Sequence, residues 1–260
     1  MDQFFVVDVG NTSTKWGIAD RKRVLKEHEF PTTKFSEIRG RKIPKLKLPD
    51  HPCGAIISCV VPDALPGVKA CLNSMGIPRP LVVSSKMNLG IGLNYPQPAK
   101  IGADRLVNAV AAVELYGAPA IVVDFGTAVT FDVVSAKNEY VGGAIAPGLA
   151  AMTDYLHEHT ALLPHISLAE PSSAIGKDTV SAMRVGAVVG YRGLIREILH
   201  AIAKEMDVTL DGSAGKSTVH VIATGGHSAL ISSKIPEIQH VNAQLTLNGL
   251  RLLYGRLAGE

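Results

Sequence analysis

The apolar positions of this chain fall into two matching series. Phe4-Phe5-Val6-Val7 runs without interruption into Asp8, and Ala120-Ile121-Val122-Val123 runs the same way into Asp124. Short unbroken apolar runs that end in turn residues read as strands buried on both faces. Each acid is followed by one apolar residue and a glycine: Asp8-Val9-Gly10-Asn11-Thr12 in the first series, Asp124-Phe125-Gly126-Thr127 in the second. Alternating segments come next, Ser13–Ala19 and Val24–Phe30 in the first half, Ala128–Val134 and Tyr140–Ile145 in the second. The pattern predicts three consecutive hydrogen-bonded strands at the start of each half.

The rest of each half alternates helix and strand. Apolar residues at helical spacing (Leu65, Val68, Leu72, Met75) lie between the apolar runs Ala55–Ser58 and Leu81–Ser84 and predict a βαβ unit. Ala103–Tyr116 reads as an Ala/Val/Leu-rich helix that Gly117-Ala118-Pro119 ends. In the second half, helices are predicted over Leu149–Leu162, Asp178–Lys204 and Leu245–Leu257, with strands at Val219–Ala223 and Ile238–Val241 and a further helix entered at His227 or Ser228. The expected architecture is α/β, two duplicated domains at 1–117 and 118–260, each a mixed five-stranded sheet with flanking helices, facing each other across a cleft.

Composition narrows the function classes. Of 260 residues 47% are hydrophobic and 19% charged, enough for sizeable cores and far from a disordered composition. The net charge of +3 suits a phosphorylated substrate as easily as nucleic acid, but the densest basic stretch, Arg39 to Lys47, lies among prolines and reads as a solvated loop. No nucleic-acid partner is expected. Three cysteines with no CxxC pair predict reduced thiols in a cytoplasm. No apolar run reaches the roughly 18 residues a membrane span needs, and no signal-peptide pattern opens the chain.

A buried strand that ends in a carboxylate and turns through glycine holds that acid where a ligand can reach it. Its backbone N–H groups then suit phosphates and their metal ions. Asp8 and Asp124 are therefore candidate ligands for Mg²⁺ or a second cation; either acid could also only bond the backbone of its own turn. Lys15, Asn11, Thr12 and Thr127 are candidate phosphate donors. Asp104 and Arg105 open the Ala-rich helix after the broken loop Tyr95-Pro96-Gln97-Pro98. An acid there favours the helix dipole, but an acid beside a guanidinium also suits a substrate hydroxyl: one accepts its proton, the other holds an anion. Thr224-Gly225-Gly226 and Gly142-Gly143 with Pro147-Gly148 fit either a close ligand or tight packing. Gly212 to Ser217 lacks the first glycine of a P-loop, because Leu210 stands there, and it precedes a strand. His157, His159 and His165 are close in sequence, but His157 and His159 fall on different helix faces, which speaks against a metal site.

Asp8-Val9-Gly10-Asn11-Thr12 with Lys15, Gly102-Ala103-Asp104-Arg105, and Asp124-Phe125-Gly126-Thr127 together resemble the type III pantothenate kinases. These belong to the acetate and sugar kinase/Hsp70/actin superfamily. Gly142 to Gly148, Gly176 to Met183 and Thr224-Gly225-Gly226 fit the same family in the same order. The resemblance implies two actin-like (ribonuclease H-like) domains and ATP-dependent phosphorylation of pantothenate to 4'-phosphopantothenate, the opening step of coenzyme A synthesis. It implies that Asp104 is the proton acceptor and that Tyr95, Gly102, Ala103, Arg105 and Thr179 contact pantothenate. It assigns ATP to Asp8, Val9, Gly10, Asn11, Thr12, Ser13, Thr14, Lys15 and Thr127, with Mg²⁺, and a monovalent cation, K⁺ or NH₄⁺, to Asp124. Family members are homodimers, and some were first described as accessory factors for virulence gene expression. Two other readings compete: another small-molecule kinase or a phosphoanhydride phosphatase, and an ATP-binding regulatory protein without turnover. Asp104 favours catalysis, because nucleotide binding alone does not need that acid.

Overall fold

A computed structural model describes residues 3–36, 52–211 and 217–258. The basic stretch at Arg39 to Lys47 and most of the P-loop-like segment at 212–216 lie outside them. The chain forms two units, Met1–Leu115 with Gln244–Glu260, and Tyr116–Ala243.

In the first unit, β1 (Phe4–Val9), β2 (Ser13–Ala19) and β3 (Val24–Pro31) follow one another as an antiparallel meander. The β2–β3 turn is held by Asp20, whose carboxylate accepts from the N–H groups of Lys22 and Arg23 at 2.7 and 2.8 Å. A short helix α1 (Thr33–Ser36) follows. Then β4 (Ala55–Cys59) pairs parallel to β1, α2 (Leu65–Ser74) crosses over, and β5 (Leu81–Val82) completes the sheet in the order β3-β2-β1-β4-β5. β6 (Gly92–Leu93) and α3 (Ala103–Tyr116) close this part of the chain.

β1 is apolar at every position but Asp8 because both of its faces are covered. Phe5, Val7 and Val9 join Trp16, Phe35, Ile57, Val68 and Leu72 on one side. Phe4 and Val6 join Ile56 with Leu106, Val107 and Val110 of α3 on the other. Adjacent residues thus feed separate cores and residues two apart share one, the period-two rule of a strand. Trp16 has Phe5 edge-on and Phe35 stacked, each 5.9 Å away.

The second unit repeats the plan. β7 (Ala120–Phe125), β8 (Ala128–Val134) and β9 (Glu139–Pro147) form the meander, and β10 (His220–Thr224) pairs parallel to β7 with β11 (His240–Val241) beyond it. Within the unit the order is β11-β10-β7-β8-β9. The helices are α4 (Leu149–His159), α5 (Thr179–Glu205) and α6 (Ser228–Ser232). Val188, Tyr191, Ile195 and Leu199 of α5 pack on Ile121, Val123 and Phe125 of β7. The burial sequence along β7 and β8 is the same, residue for residue, as along β1 and β2.

One boundary needs correcting. The last helix, α7 (Leu245–Leu257), does not belong with the second domain expected at 118–260; it is part of the first unit. Its apolar stripe, Leu247, Leu250 and Leu253, is buried against Phe4, Val6 and Ile56, so the chain's end shares with α3 the covering of that face of β1. Arg251, itself buried, fastens this helix by donating to the Arg21 carbonyl at 2.7 Å. Leu250 is fully buried, so Leu250→Ala should cost about 2–5 kcal/mol. Because Trp16 is the chain's single tryptophan and lies in this unit, its fluorescence in a urea titration should show that loss. An unchanged Trp16 transition would mean that α7 does not support the first unit.

Candidate active site

The first turn is built by register. Asp8 of β1 pairs with Lys15 of β2, and Gly10 N–H donates to the Ser13 carbonyl at 3.0 Å, leaving Asn11 and Thr12 exposed at the tip. Thr32, just past β3, braces this loop. Its N–H donates to Thr12 O at 3.0 Å and its hydroxyl to Gly10 O at 2.6 Å. The Thr32 hydroxyl also lies 2.9 Å from that of Thr14. The Thr14 side chain, expected among the nucleotide-binding residues, is therefore fully buried and engaged in bracing. Val9 is buried in the core, so both it and Thr14 have backbone alone to offer a ligand.

On the other side of β1, Asp8 is in register with Ser58 of β4. Residues in register on adjacent strands project to the same face. Lys15, Asp8 and Ser58 therefore form a row across three strands, on the face that carries Phe4, Val6, Ile56 and α3.

The second turn has the same frame with different contents. Asp124 pairs with Thr130 and, on β10, with Thr224. Its loop closes one residue sooner, Gly126 N–H donating to Ala128 O at 3.1 Å, so Thr130 occupies the place of Lys15. The Thr130 hydroxyl donates to Asp132 at 3.4 Å, and Tyr140 donates to the same fully buried carboxylate at 3.2 Å. Two glycines, Gly225 and Gly148, pack closely around this turn. Gly225 has φ +90°, and a Cβ there would come within 2.6 Å of the Phe125 carbonyl and 2.7 Å of Asp124 Oδ1. One on Gly148 would meet the Gly126 and Thr127 carbonyl oxygens at 2.6 and 2.3 Å. Thr127 itself is exposed.

Asp104 sits in the first turn of α3, within the first unit. Its Oδ1 accepts from Arg105 N–H at 2.8 Å. A Cβ on Gly102 would lie 2.5 Å from that oxygen and 3.6 Å from Val60, whose N–H in turn donates to Val9 O at 3.1 Å. The Gly102–Arg105 segment thus lies at the carboxyl ends of β1 and β4, on the same sheet face as the Lys15–Asp8–Ser58 row. Burial pushes the Asp104 carboxyl above the ordinary aspartate value, against the lowering from the Arg105 N–H and guanidinium. A carboxylate of raised basicity is suited to accept a proton.

Tyr95 is partly exposed on the connection ahead of α3. Thr179 is exposed as the first residue of α5, in the second unit. Before it Asp178 caps the helix, taking Ser181 N–H at 2.9 Å, and the carboxyl is held below its ordinary value by that bond. His157 and His159 are engaged by the carbonyls of Leu163 and Tyr155, each at 3.0 Å. No group of three or more His, Cys, Asp or Glu among the described residues is placed to hold a metal ion. The cysteines, Cys53, Cys59 and Cys71, are free thiols.

Sequence reasoning missed Ser58 and Thr32, and named Thr224 only within Thr224-Gly225-Gly226, not as the partner of Asp124. The correspondence of Ser58 with Thr224 was open to it: the runs Ala55-Ile56-Ile57 and Val221-Ile222-Ala223 each end in a hydroxyl residue, as part of the same duplication. Thr32 carries no pattern of its own.

Residues 4–201 match the family profile described as type III pantothenate kinase. A type III pantothenate kinase of Akkermansia muciniphila is 43% identical, over 97% of this chain and 98% of its own. Among solved structures, a putative Baf family transcriptional activator from Campylobacter jejuni superposes with a TM-score of 0.61 at 16% identity, covering 99% of this chain and 100% of that one. MreB 5 of Spiroplasma citri, solved with AMPPNP, gives 0.55 at 9% identity over 100% and 98%. These two likenesses concern the fold, which is actin-like.

The raised Asp104 carboxyl has a consequence for stability. A group whose folded pKa lies above its unfolded one favours folding below the unfolded value, and that contribution is lost as pH rises through the folded value. Asp104→Asn removes the buried charge. The variant should melt above wild type at pH 8, with the gap closing as the pH falls below the carboxylate range. A variant that melts below wild type at pH 8 would contradict the assignment of burial as the dominant cause.

Proposed function

The chain belongs to the type III pantothenate kinase family, and we propose which of its residues carry out the reaction that membership implies. It phosphorylates pantothenate with ATP, a step of coenzyme A biosynthesis. The reading of its site rests on one observation. Asp104, a carboxyl pushed up by burial, stands at the helix start on the same sheet face as Asp8 and Lys15. A protein that only held nucleotide would not need it.

Phosphoryl transfer requires positioning and charge neutralisation more than covalent chemistry. Asp8 to Lys15 take the ATP phosphates: Asn11 and Thr12 from the exposed tip, Gly10 to Ser13 through backbone N–H groups, Lys15 as a point charge beside the acid. Mg²⁺ is usually held by one or two carboxylates together with substrate phosphates, so the single acid Asp8 fits it. Bound there, it neutralises phosphate charge. Thr127 donates to phosphate from the second turn. Asp124 suits K⁺ or NH₄⁺, since that turn offers carboxylate, hydroxyl and carbonyl oxygens and has Thr130 where the first has Lys15. Asp104 orients the primary hydroxyl of pantothenate and accepts its proton, giving 4'-phosphopantothenate. Arg105, with Gly102, Ala103 and Tyr95, holds the acceptor, and Thr179 reaches it from the start of α5.

Thr179 also bears on assembly. Ile145, Tyr155, Leu162, Ile175, Val180 and Val189 are exposed on β9, α4, α5 and the segment between, all in the second unit. Exposed apolar side chains in such number on one unit support a homodimer. Among the described residues no helix is long and apolar enough to cross a membrane, and we place the enzyme in the cytoplasm.

The test is coupled ADP release with pantothenate and a panel of other alcohols, in K⁺ and then in Na⁺. Pantothenate-dependent turnover that is faster in K⁺ is expected. Asp104→Asn should lower kcat by roughly 10² or more, the usual scale of a general base, and leave MgATP binding intact. Absence of pantothenate-dependent ADP release in K⁺ would sink the reading, and wild-type turnover of the variant would remove Asp104 from its role.

A further inference from the structure

We propose that Ser58 is a positioning residue for the nucleotide site, holding the inner oxygen of the Asp8 carboxylate while the outer oxygen serves the metal–nucleotide complex. The inference rests on the reading of the Asp8 turn as the MgATP side. Ser58 is 0% exposed, and its Oγ is buried with no hydrogen-bond partner. A buried hydroxyl left unsatisfied destabilises the fold. The neighbouring strand positions explain why such a group is kept. Ser58 is in register with Asp8 on the parallel strand β4, on the same face, with the strand axes about 5 Å apart. Asp8 Oδ1 is buried as well, whereas the residue as a whole is half-buried. The Ser58 hydroxyl and Asp8 Oδ1 therefore share one dry pocket edge, and a change of the serine's χ1 brings O–H to carboxylate.

The chemistry fits the load on Asp8. A carboxylate that binds a metal ion or its waters is held in turn by outer hydrogen bonds, and their loss typically weakens metal binding about 10–100-fold. On its β2 side Asp8 faces Lys15, which serves the phosphates; on its β4 side it faces only a hydroxyl. The same placement recurs in the second unit, where Thr224, 1% exposed, is in register with Asp124. Both turn acids are thus flanked by a buried hydroxyl on the parallel neighbour. That hydroxyl is part of the duplicated device and not an accident of one strand.

Thermal melts and kinetics on the full chain separate this role from simple packing. Wild type, Ser58→Ala and Ser58→Cys, which keeps the volume, are melted with and without MgATP, and KM is measured for each substrate. Both variants should melt no lower than wild type without ligand, because the unsatisfied hydroxyl is gone. Both should show a smaller MgATP-induced rise in Tm. KM for MgATP should rise about tenfold or more, with KM for pantothenate within about twofold of wild type. Lower melting without ligand, together with a wild-type MgATP response, would make Ser58 a packing residue and overturn the proposal. An unchanged MgATP response at unchanged Tm would also overturn it. If wild type itself gives no MgATP response, the nucleotide reading of the Asp8 turn fails, and the role of Ser58 falls with it.

Discussion

A carboxylate at the end of a strand buried on both faces is the constraint on which the rest of this structure depends. β1 and β7 are apolar at every position but Asp8 and Asp124 because helices and neighbouring strands cover them, so a charge is tolerated only where the strand leaves the sheet. The surrounding residues keep that exit rigid. Thr32 bonds the Gly10 and Thr12 carbonyls of the first turn. Gly225 and Gly148 let backbone close against the second more tightly than any side chain would permit. α3 brings Asp104 to the carboxyl ends of β1 and β4 by burying Leu106, Val107 and Val110 on the first sheet.

The two copies share a frame and differ in their contents. One extra residue in the first loop leaves exposed donors at its tip, and Lys15 stands beside the acid. The second loop is tighter, and Thr130 stands there instead, bonded to buried Asp132. A turn with a built-in cation suits an anionic ligand; a turn that presents only oxygen atoms suits a cation. The division of labour we propose between nucleotide and monovalent ion rests on this one exchange.

Much of this was legible in the residues alone, for reasons that are local. Ser13–Ala19, Ala128–Val134, Ala103–Tyr116 and Leu245–Leu257 form over the expected spans, because alternation and helical spacing act within a few residues. The acids, the glycines and Asp104 were visible as an interrupted apolar pattern. What escaped depends on pairing between distant strands. That α7 shares with α3 the covering of β1 follows from how distant elements pack, which no local pattern records. The engagement of Thr14 by Thr32, and the placing of Ser58 and Thr224 beside the acids, are consequences of register.

The claim that the two acids serve different ions is open to direct measurement. Turnover of Asp8→Asn and Asp124→Asn is titrated separately with Mg²⁺ and with K⁺. The account predicts that Asp124→Asn raises the half-activating K⁺ concentration about tenfold or more with little change in Mg²⁺ demand, and that Asp8→Asn does the reverse. Two variants that shift the same ion's titration alike would contradict it.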